Sequence, residues 1–149
     1  MKKVIITILM AMMNVVAFTQ QVYNVRVSSM ADGRFEQYYG AVKVSGDVLN
    51  GMKDGNWIEN HPNSDIPHFI IQYKEDKKDG LYLEFDKQAN LIKKIEYKND
   101  SMHGGNYTWD KNGRATTKQE YKEGMLDGKS VIYTDKGFVQ EEADRKSVV

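Results

Sequence analysis

Four near-copies of one six-residue stretch constrain this chain more than any other feature. They read NGMKDG at 50–55, EDKKDG at 75–80, NDSMHG at 99–104 and EGMLDG at 123–128. Their last residues are spaced 25, 24 and 24 positions apart and are Gly55, Gly80, Gly104 and Gly128. Repetition at a fixed period of roughly 20–50 residues is typical of a stacked array. We therefore expect repeats over 54–78, 79–102, 103–126 and 127–149, the last of them truncated, preceded by a cap or degenerate unit over 20–53.

Two series of aromatic residues keep the same period. One series falls seven residues before a repeat glycine and comprises Tyr73, Tyr97 and Tyr121. The other falls five residues after such a glycine and comprises Phe85, Trp109 and Tyr133. The regular spacing favours packed side chains that form ladders across neighbouring strands. The alternative is an exposed row that stacks on sugar rings.

Each repeat has the pattern of a β-hairpin. Apolar residues alternate with other residues in GLYLEF (80–85), which is the periodicity of a strand. Turn-forming residues separate the two arms in DKQAN (86–90), DKNG (110–113) and TDKG (134–137). We interpret the Asp-Gly pair of each six-residue stretch as the turn that begins the next strand. The sequence thus predicts an all-β fold, an elongated antiparallel meander of stacked β-hairpin repeats of about 24 residues.

The first 19 residues have a different composition from the rest. Lys2 and Lys3 precede an apolar run that ends in small residues, the pattern of a secretory signal peptide with cleavage between Thr19 and Gln20. A retained membrane anchor is the alternative, but the run is short for about 30 Å of hydrocarbon. The chain has no cysteine, which a lipid anchor or a disulfide would need. We expect a periplasmic or secreted mature protein (20–149) that meets the membrane only through its transient signal peptide.

Composition and motifs argue against several functional classes. The formal net charge is zero, whereas nucleic-acid-binding proteins usually carry a basic excess. The chain contains neither a GxSxG nucleophile motif nor a phosphate-binding P-loop. Its many carboxylates are expected on solvated strand faces and turns. We therefore expect no catalytic, cofactor or metal-binding residues and no enzymatic activity. A small envelope hydrolase would require a pocket with facing carboxylates.

The first repeat contains an irregular segment, NHPNSDIPH, at 60–68. Both prolines and two of the three histidines of the chain lie in it. Irregular loops on repeat proteins often face a partner, so we take this segment as a candidate partner loop. Its defining residues are His61, Pro62, Asp65 and His68. A weak zinc site built from its two histidines and its aspartate is the alternative.

The spacing of Tyr, Asp and Gly over roughly residues 46–140 resembles that of MORN-type repeats. It is most similar to the MORN-like repeats of the YwqK family, whose members are often described as antitoxins of toxin–antitoxin systems. The resemblance implies a non-enzymatic protein-interaction module that binds another protein, with a toxin as one candidate, in the manner of an antitoxin or immunity protein. The alternative that the aromatic residues suggest is a carbohydrate- or cell-wall-binding module.

Overall fold

The computed structural model describes residues 25–145, which form one ten-stranded sheet. The strands are β1 (Gly33–Tyr39), β2 (Val42–Leu49), β3 (Met52–Asn60), β4 (Pro67–Lys74), β5 (Lys77–Phe85), β6 (Leu91–Lys98), β7 (Ser101–Trp109), β8 (Ala115–Lys122), β9 (Met125–Tyr133) and β10 (Val139–Arg145). Each strand pairs antiparallel with the next along the chain. The predicted all-β meander of hairpins is confirmed. The predicted signal peptide (1–19) and its cleavage site at Thr19 and Gln20 lie outside the described residues.

Within residues 25–145, no helix has the length and apolar character needed to cross a membrane.

Two-residue turns join β2 to β3, β4 to β5, β6 to β7 and β8 to β9. Both residues of each turn have positive φ, between 48° and 81°: Asn50, Gly51, Glu75, Asp76, Asn99, Asp100, Glu123 and Gly124. Positive φ at both central positions matches the twist of the flanking strands and defines the favoured hairpin turn. The turn is therefore made by the first two residues of each six-residue stretch. The prediction that the Asp-Gly pair at its end makes the turn is wrong.

The repeat glycines, predicted as turn glycines, instead lie inside β3, β5, β7 and β9, next to irregularities in strand register. These residues, Gly55, Gly80, Gly104 and Gly128, have φ between 66° and 111°. A Cβ at Gly80 would come within 2.2 Å of Gln72 Oε1. That oxygen accepts a hydrogen bond from Leu81 N at 2.7 Å. Glycine thus adopts the backbone conformation that the bulge requires. It also leaves room for the Gln72 side chain, which accepts a hydrogen bond from the strand at the bulge.

Wider turns close the other hairpins of the repeats at 86–90, 110–114 and 134–138. The Asp86 carboxylate accepts hydrogen bonds from the backbone N–H groups of Gln88 and Asn90, and the Asn90 side chain lowers the pKa of this carboxyl. Asp110 occupies the same place in the next repeat, where its bond from the Arg114 backbone lowers its pKa. The predicted turn segments are confirmed, with a carboxylate organising two of them.

One row of directly paired residues follows the core face of the sheet from β3 to β10. It comprises Trp57, Ile71, Tyr82, Ile95, Asn106, Gln119, Ser130 and Ala143. The row is apolar from Trp57 to Ile95, polar from Asn106 to Ser130, and ends in the small Ala143. The buried core follows the same change, because its apolar members come from residues 25–30 and β2–β6. The stable core of the described chain therefore lies in the N-terminal half of the sheet.

Residues 25–30, which we call the strap, add the second layer of this core. Val25 and Val27 of the strap are buried in the same cluster as Trp57 and Tyr73. The strap also lies over the first tight turn, where a Cβ on Gly51 would meet the Ser28 carbonyl at 3.1 Å. We call this side of the sheet the strap face. The opposite side is called the groove face.

Aromatic contacts complete the packing of the strap face. Trp57 is fully buried, stacks on Phe35 at a centroid distance of 5.3 Å and meets Tyr73 edge-on at 6.5 Å. Tyr82 is 7% exposed, whereas its strand neighbours Leu81 and Leu83 are only half-buried. Aromatic pairs of this kind contribute about 0.5–1.5 kcal/mol each beyond the area they bury. Tyrosine thus takes the core position that the leucines of GLYLEF would be expected to fill.

Candidate binding surfaces

The two predicted aromatic series lie on opposite faces of the sheet. Tyr73, Tyr97 and Tyr121 are on the strap face, each directly opposite a repeat glycine on the neighbouring strand. The tyrosine rings offer the apolar surface that the glycines lack. Phe85, Trp109 and Tyr133 end β5, β7 and β9 and, by strand alternation, lie on the groove face. Of the six, only Tyr73 is buried; the others are half-buried, so the six do not form one packed face.

A clamp between successive repeats was not expected from the sequence. Asp76, in a tight turn, accepts a hydrogen bond from Lys53 N at 2.7 Å and donates its own N–H to the Lys53 carbonyl at 3.0 Å. Asp100 makes the same two contacts with Lys78, at 2.8 and 2.9 Å. In the last tight turn Gly124 retains only the main-chain bond, to the Met102 carbonyl. These bonds fasten the last three tight turns to β3, β5 and β7, respectively.

The lysines of the clamp also pack on the tyrosines of the strap face. Lys53 is only 5% exposed, and its ammonium lies 5.1 Å from the ring centroids of both Trp57 and Tyr73. Burial lowers the pKa of Lys53, and the nearby Asp76 opposes that shift. Lys78 repeats the arrangement over Tyr97 at 4.6 Å. A Lys two residues before the repeat glycine and an Asp four before it are the sequence signal that could have revealed this clamp.

An open groove of about 540 Å³ lies beside the clamp and the strap. Its lining includes Lys53, Lys78, Asp76 and Asp100. Both carboxylates are already bonded to backbone N–H groups of the neighbouring strands. The polar groups of this groove therefore hold the repeats together, and we assign it a structural role.

The candidate partner loop lies between β3 and β4 and is partly anchored. His61 is buried, its Nε2 lies 2.9 Å from the Phe85 carbonyl, and its ring stacks on His68 at 4.4 Å. Asn63 donates its backbone N–H to the Ala41 carbonyl, which ties the loop to the turn after β1. Pro62 and Asp65 are exposed. The histidines thus hold the loop in place, and its tip presents the proline and the aspartate to solvent.

The three residues proposed as a weak zinc site do not form one. His61 and His68 stack face to face, and His68 Nδ1 lies 3.7 Å from Glu59 Oε1. No group of three or more His, Cys, Asp or Glu side chains in residues 25–145 could hold a metal ion. In the described residues these histidine side chains are therefore held in ring and carboxylate contacts and are not grouped around a position for a metal ion. His103, which takes the place of the aspartate in the third six-residue stretch (99–104), lies within β7.

A second open groove lies on the groove face of the C-terminal half and has a volume of about 500 Å³. We call it the C-terminal groove. Val131 forms a buried apolar patch in its lining. Its other lining residues come from the four consecutive strands β7–β10: Tyr107, Lys118, Glu120, Lys129, Tyr133, Val139 and Glu142. Sequence reasoning identified only Tyr133 among them. Lys118 and Glu120 repeat Lys94 and Glu96 at the period of 24 residues, and this spacing is the signal that could have revealed them.

The polar groups of the C-terminal groove are paired across strands. Tyr107 donates its hydroxyl proton to Glu120 Oε1 at 2.7 Å, and this bond raises the pKa of Tyr107 to about 12. Lys129 Nζ lies 2.8 Å from Glu142 Oε1, which raises the lysine pKa. Lys118 lies over the Tyr133 ring at 5.8 Å. The groove therefore combines two tyrosine rings and two valines with two lysines and two glutamates.

The strap face of the same half carries a ladder of polar side chains. Asn106 Nδ2 donates to Gln119 Oε1 at 3.4 Å, and Gln119 Nε2 donates to Ser130 Oγ at 3.2 Å. These residues continue the row that is apolar in the N-terminal half. In the described part of the chain, no apolar layer comparable to the strap cluster covers this ladder.

Comparison of the chain with protein-family models and with curated proteins finds no match.

Proposed function

We propose that this protein is an exported, non-enzymatic protein-interaction module that binds its partner through the C-terminal groove. The observation that carries the proposal is the asymmetry of the sheet. The N-terminal half has a strap, an aromatic cluster and the clamped turns, whereas the C-terminal half has an open groove lined by tyrosines, paired charges and the exposed Val139. Aromatic anchors surrounded by polar groups are the usual composition of the energetic centre of a protein interface.

The resemblance to MORN-like repeats of the YwqK family supports the same class of function. On that resemblance, a protein toxin is one candidate partner, and the chain would act on it as an antitoxin or immunity protein. The proposed signal peptide would place this encounter in the periplasm or outside the cell. The charges of the groove are nearly balanced, so a strongly basic partner such as a nucleic-acid-binding segment gains little attraction there.

A carbohydrate- or cell-wall-binding function is the second candidate. It is favoured by the contact between Tyr107 and Trp109, whose ring centroids lie 6.3 Å apart near the Glu120 carboxylate. Sugar rings stack on aromatic side chains, and their hydroxyls can donate hydrogen bonds to carboxylates. A hydrolase is less well supported. In the groove Glu120 is engaged by the Tyr107 hydroxyl and Glu142 by the Lys129 ammonium, so neither carboxylate is poised towards a substrate.

The test is affinity capture with the immobilised full chain from an envelope extract, followed by titration of the captured molecule against purified protein. Replacing Lys118→Glu together with Tyr133→Ala alters two residues of the groove. The matched control is Lys111→Glu, which makes the same charge change in an exposed turn outside the groove. We expect the groove variant to weaken binding about tenfold or more and the control to leave it unchanged.

The captured molecule distinguishes the candidates. A protein that binds stoichiometrically and responds to the groove variant supports the proposal, and a toxic one would add the antitoxin role. Glycan fragments retained without any protein would replace the proposal with the carbohydrate function. A protein partner that binds both variants equally well would move the interface away from the groove.

A further inference from the structure

Among residues 25–145 the sheet ends in two strands that each pair on one side only, β1 and β10. The outer edge of such a strand presents backbone N–H and C=O groups that can pair with another chain. Natural proteins commonly protect these edges with charged side chains. The two edges of this sheet differ in that protection.

The β10 edge is strongly charged. Four of its seven residues are charged: Glu141, Glu142, Asp144 and Arg145. All four are exposed. Glu142 pairs with Lys129 and Glu141 with Arg145, yet three carboxylates against one guanidinium leave the strand with a net charge of −2, whereas β1, with one arginine and one glutamate, has none. This edge is therefore protected against strand addition.

The β1 edge, GRFEQYY, lacks comparable protection. Its two charged residues are both engaged by β2: Arg34 Nη1 lies 3.3 Å from Asp47 Oδ1, and Glu36 Oε1 lies 3.1 Å from Lys43 Nζ. The remaining residues are uncharged, and Tyr38 is 63% exposed, one of the most exposed large hydrophobic residues of the described chain. A strand with neutralised charges and an exposed aromatic residue is suited to pair with another strand.

We propose that β1 pairs with β1 of a second copy of this chain, antiparallel, about a two-fold axis at Gln37. The sequence of the strand is complementary to itself in this register. Phe35 would lie opposite Tyr39 of the second copy on the strap face, which makes two aromatic cross-strand pairs. On the groove face Glu36 would lie opposite Tyr38 of the second copy, so that a carboxylate meets a phenol and no like charges face each other.

The symmetry of this contact also limits assembly to a dimer. Pairing of β1 with β1 uses the same strand of both copies and closes after two subunits. Pairing of β1 with β10 would instead leave a free edge at each end and produce open chains. The charged side chains along β10 disfavour strand addition at that edge, and with it the second arrangement.

Cysteine cross-linking of the full chain tests the proposal, because the natural sequence contains no cysteine. Gln37 lies on the proposed axis, so the Gln37→Cys variant should form a covalent dimer rapidly under mild oxidation. Glu36→Cys and Tyr38→Cys should each cross-link slowly alone and rapidly when mixed, because their positions face each other across the two-fold axis. Gln140→Cys, on the exposed β10 edge, is the matched control for random collision.

Sedimentation equilibrium of the wild-type chain provides an independent readout. We expect a monomer–dimer equilibrium without higher species, shifted at least tenfold toward monomer by Tyr38→Pro. Because Tyr39 and Val42 close the two-residue turn, the N–H of Tyr38 faces the open edge, whereas that of Gln37 faces β2. The substitution therefore removes an edge N–H and takes no side chain from the core, since Tyr38 is exposed. Circular dichroism establishes that the variant is folded. A wild-type monomer at all concentrations, or cross-linking of Gln140→Cys as fast as of Gln37→Cys, would overturn the proposal.

Discussion

Gly46 on β2 lies directly against the indole ring of Trp57, so that a Cβ at this position would come within 2.2 Å of the ring. Trp57 is fully buried and donates its Nε1–H to the Asp47 carbonyl at 3.0 Å. The indole is held from several sides, by Phe35, Tyr73 and Lys53. The absence of a side chain at position 46 therefore creates the space in which the largest core residue packs.

Replacing Gly46→Ala should destabilise the protein by roughly 1–3 kcal/mol or more, because the overpacked indole has no free space to enter. Gly105→Ala is the matched comparison, since its Cβ would also clash with a ring, that of Tyr107. Tyr107 is only half-buried and can move into solvent, at the loss of one hydrogen bond worth about 1 kcal/mol. Urea unfolding at neutral pH measures both free energies. Equal losses for the two variants would contradict the packing described for Trp57.

The clamp between turns and strands can be tested with Asp76→Gly. Glycine tolerates the positive φ of this position and occurs naturally at the same turn position in Gly51 and Gly124. The variant therefore removes the carboxylate that accepts from Lys53 N without straining the turn. We expect a loss of roughly 1–3 kcal/mol, because a partly buried N–H loses its carboxylate acceptor. Asp100→Gly should cost less, since its bond to Lys78 N is exposed. A larger loss for Asp100→Gly would show that burial does not set the strength of the clamp.

Tyr107 should make stability depend on pH in the alkaline range. Its pKa of about 12 in the folded protein lies above the ordinary value of about 10, because its hydroxyl donates to Glu120. The unfolded chain therefore loses this proton first, and the contribution is complete below about pH 10 and lost as pH rises towards 12. Tyr107→Phe should remove that part of the alkaline decline.

The measurement is the difference in unfolding free energy between wild type and Tyr107→Phe at several pH values from about 8 to 12. Tyr121→Phe is the matched control, because that hydroxyl donates to the Gln119 amide oxygen and not to a carboxylate. If the unfolding free energies of the two variants and the wild type decline in parallel as the pH rises, the Tyr107–Glu120 bond does not have the proposed strength.

The spacing of the repeats was sufficient to predict the meander and its turn segments, but it did not locate the bulges. Positive φ is required both in a hairpin turn and in these bulges, and glycine suits either. The Asp-Gly pairs were therefore assigned to turns, although the first two residues of each six-residue stretch, such as Asn50 and Gly51, form the turns. Only the register of the strands distinguishes the two positions.

The covered part of the sheet could not be predicted for a related reason. Alternation in a strand defines two faces but does not say which face another layer covers. Residues 25–30 decide this by packing Val25 and Val27 on the strap face. The C-terminal groove escaped detection because its residues share a face through pairing of distant segments, as Tyr107 does with Lys118.

Hydrogen exchange measured by mass spectrometry, on the chain alone and with its captured partner, tests the central claim most directly. For the chain alone we predict the slowest exchange in β2–β6, where the buried cluster lies, and faster exchange in β8–β10. On addition of the partner, protection should increase in β7–β10 around the C-terminal groove. Uniform protection along the free sheet, or partner-induced protection confined to the N-terminal half, would contradict a stable N-terminal platform that presents a C-terminal binding surface.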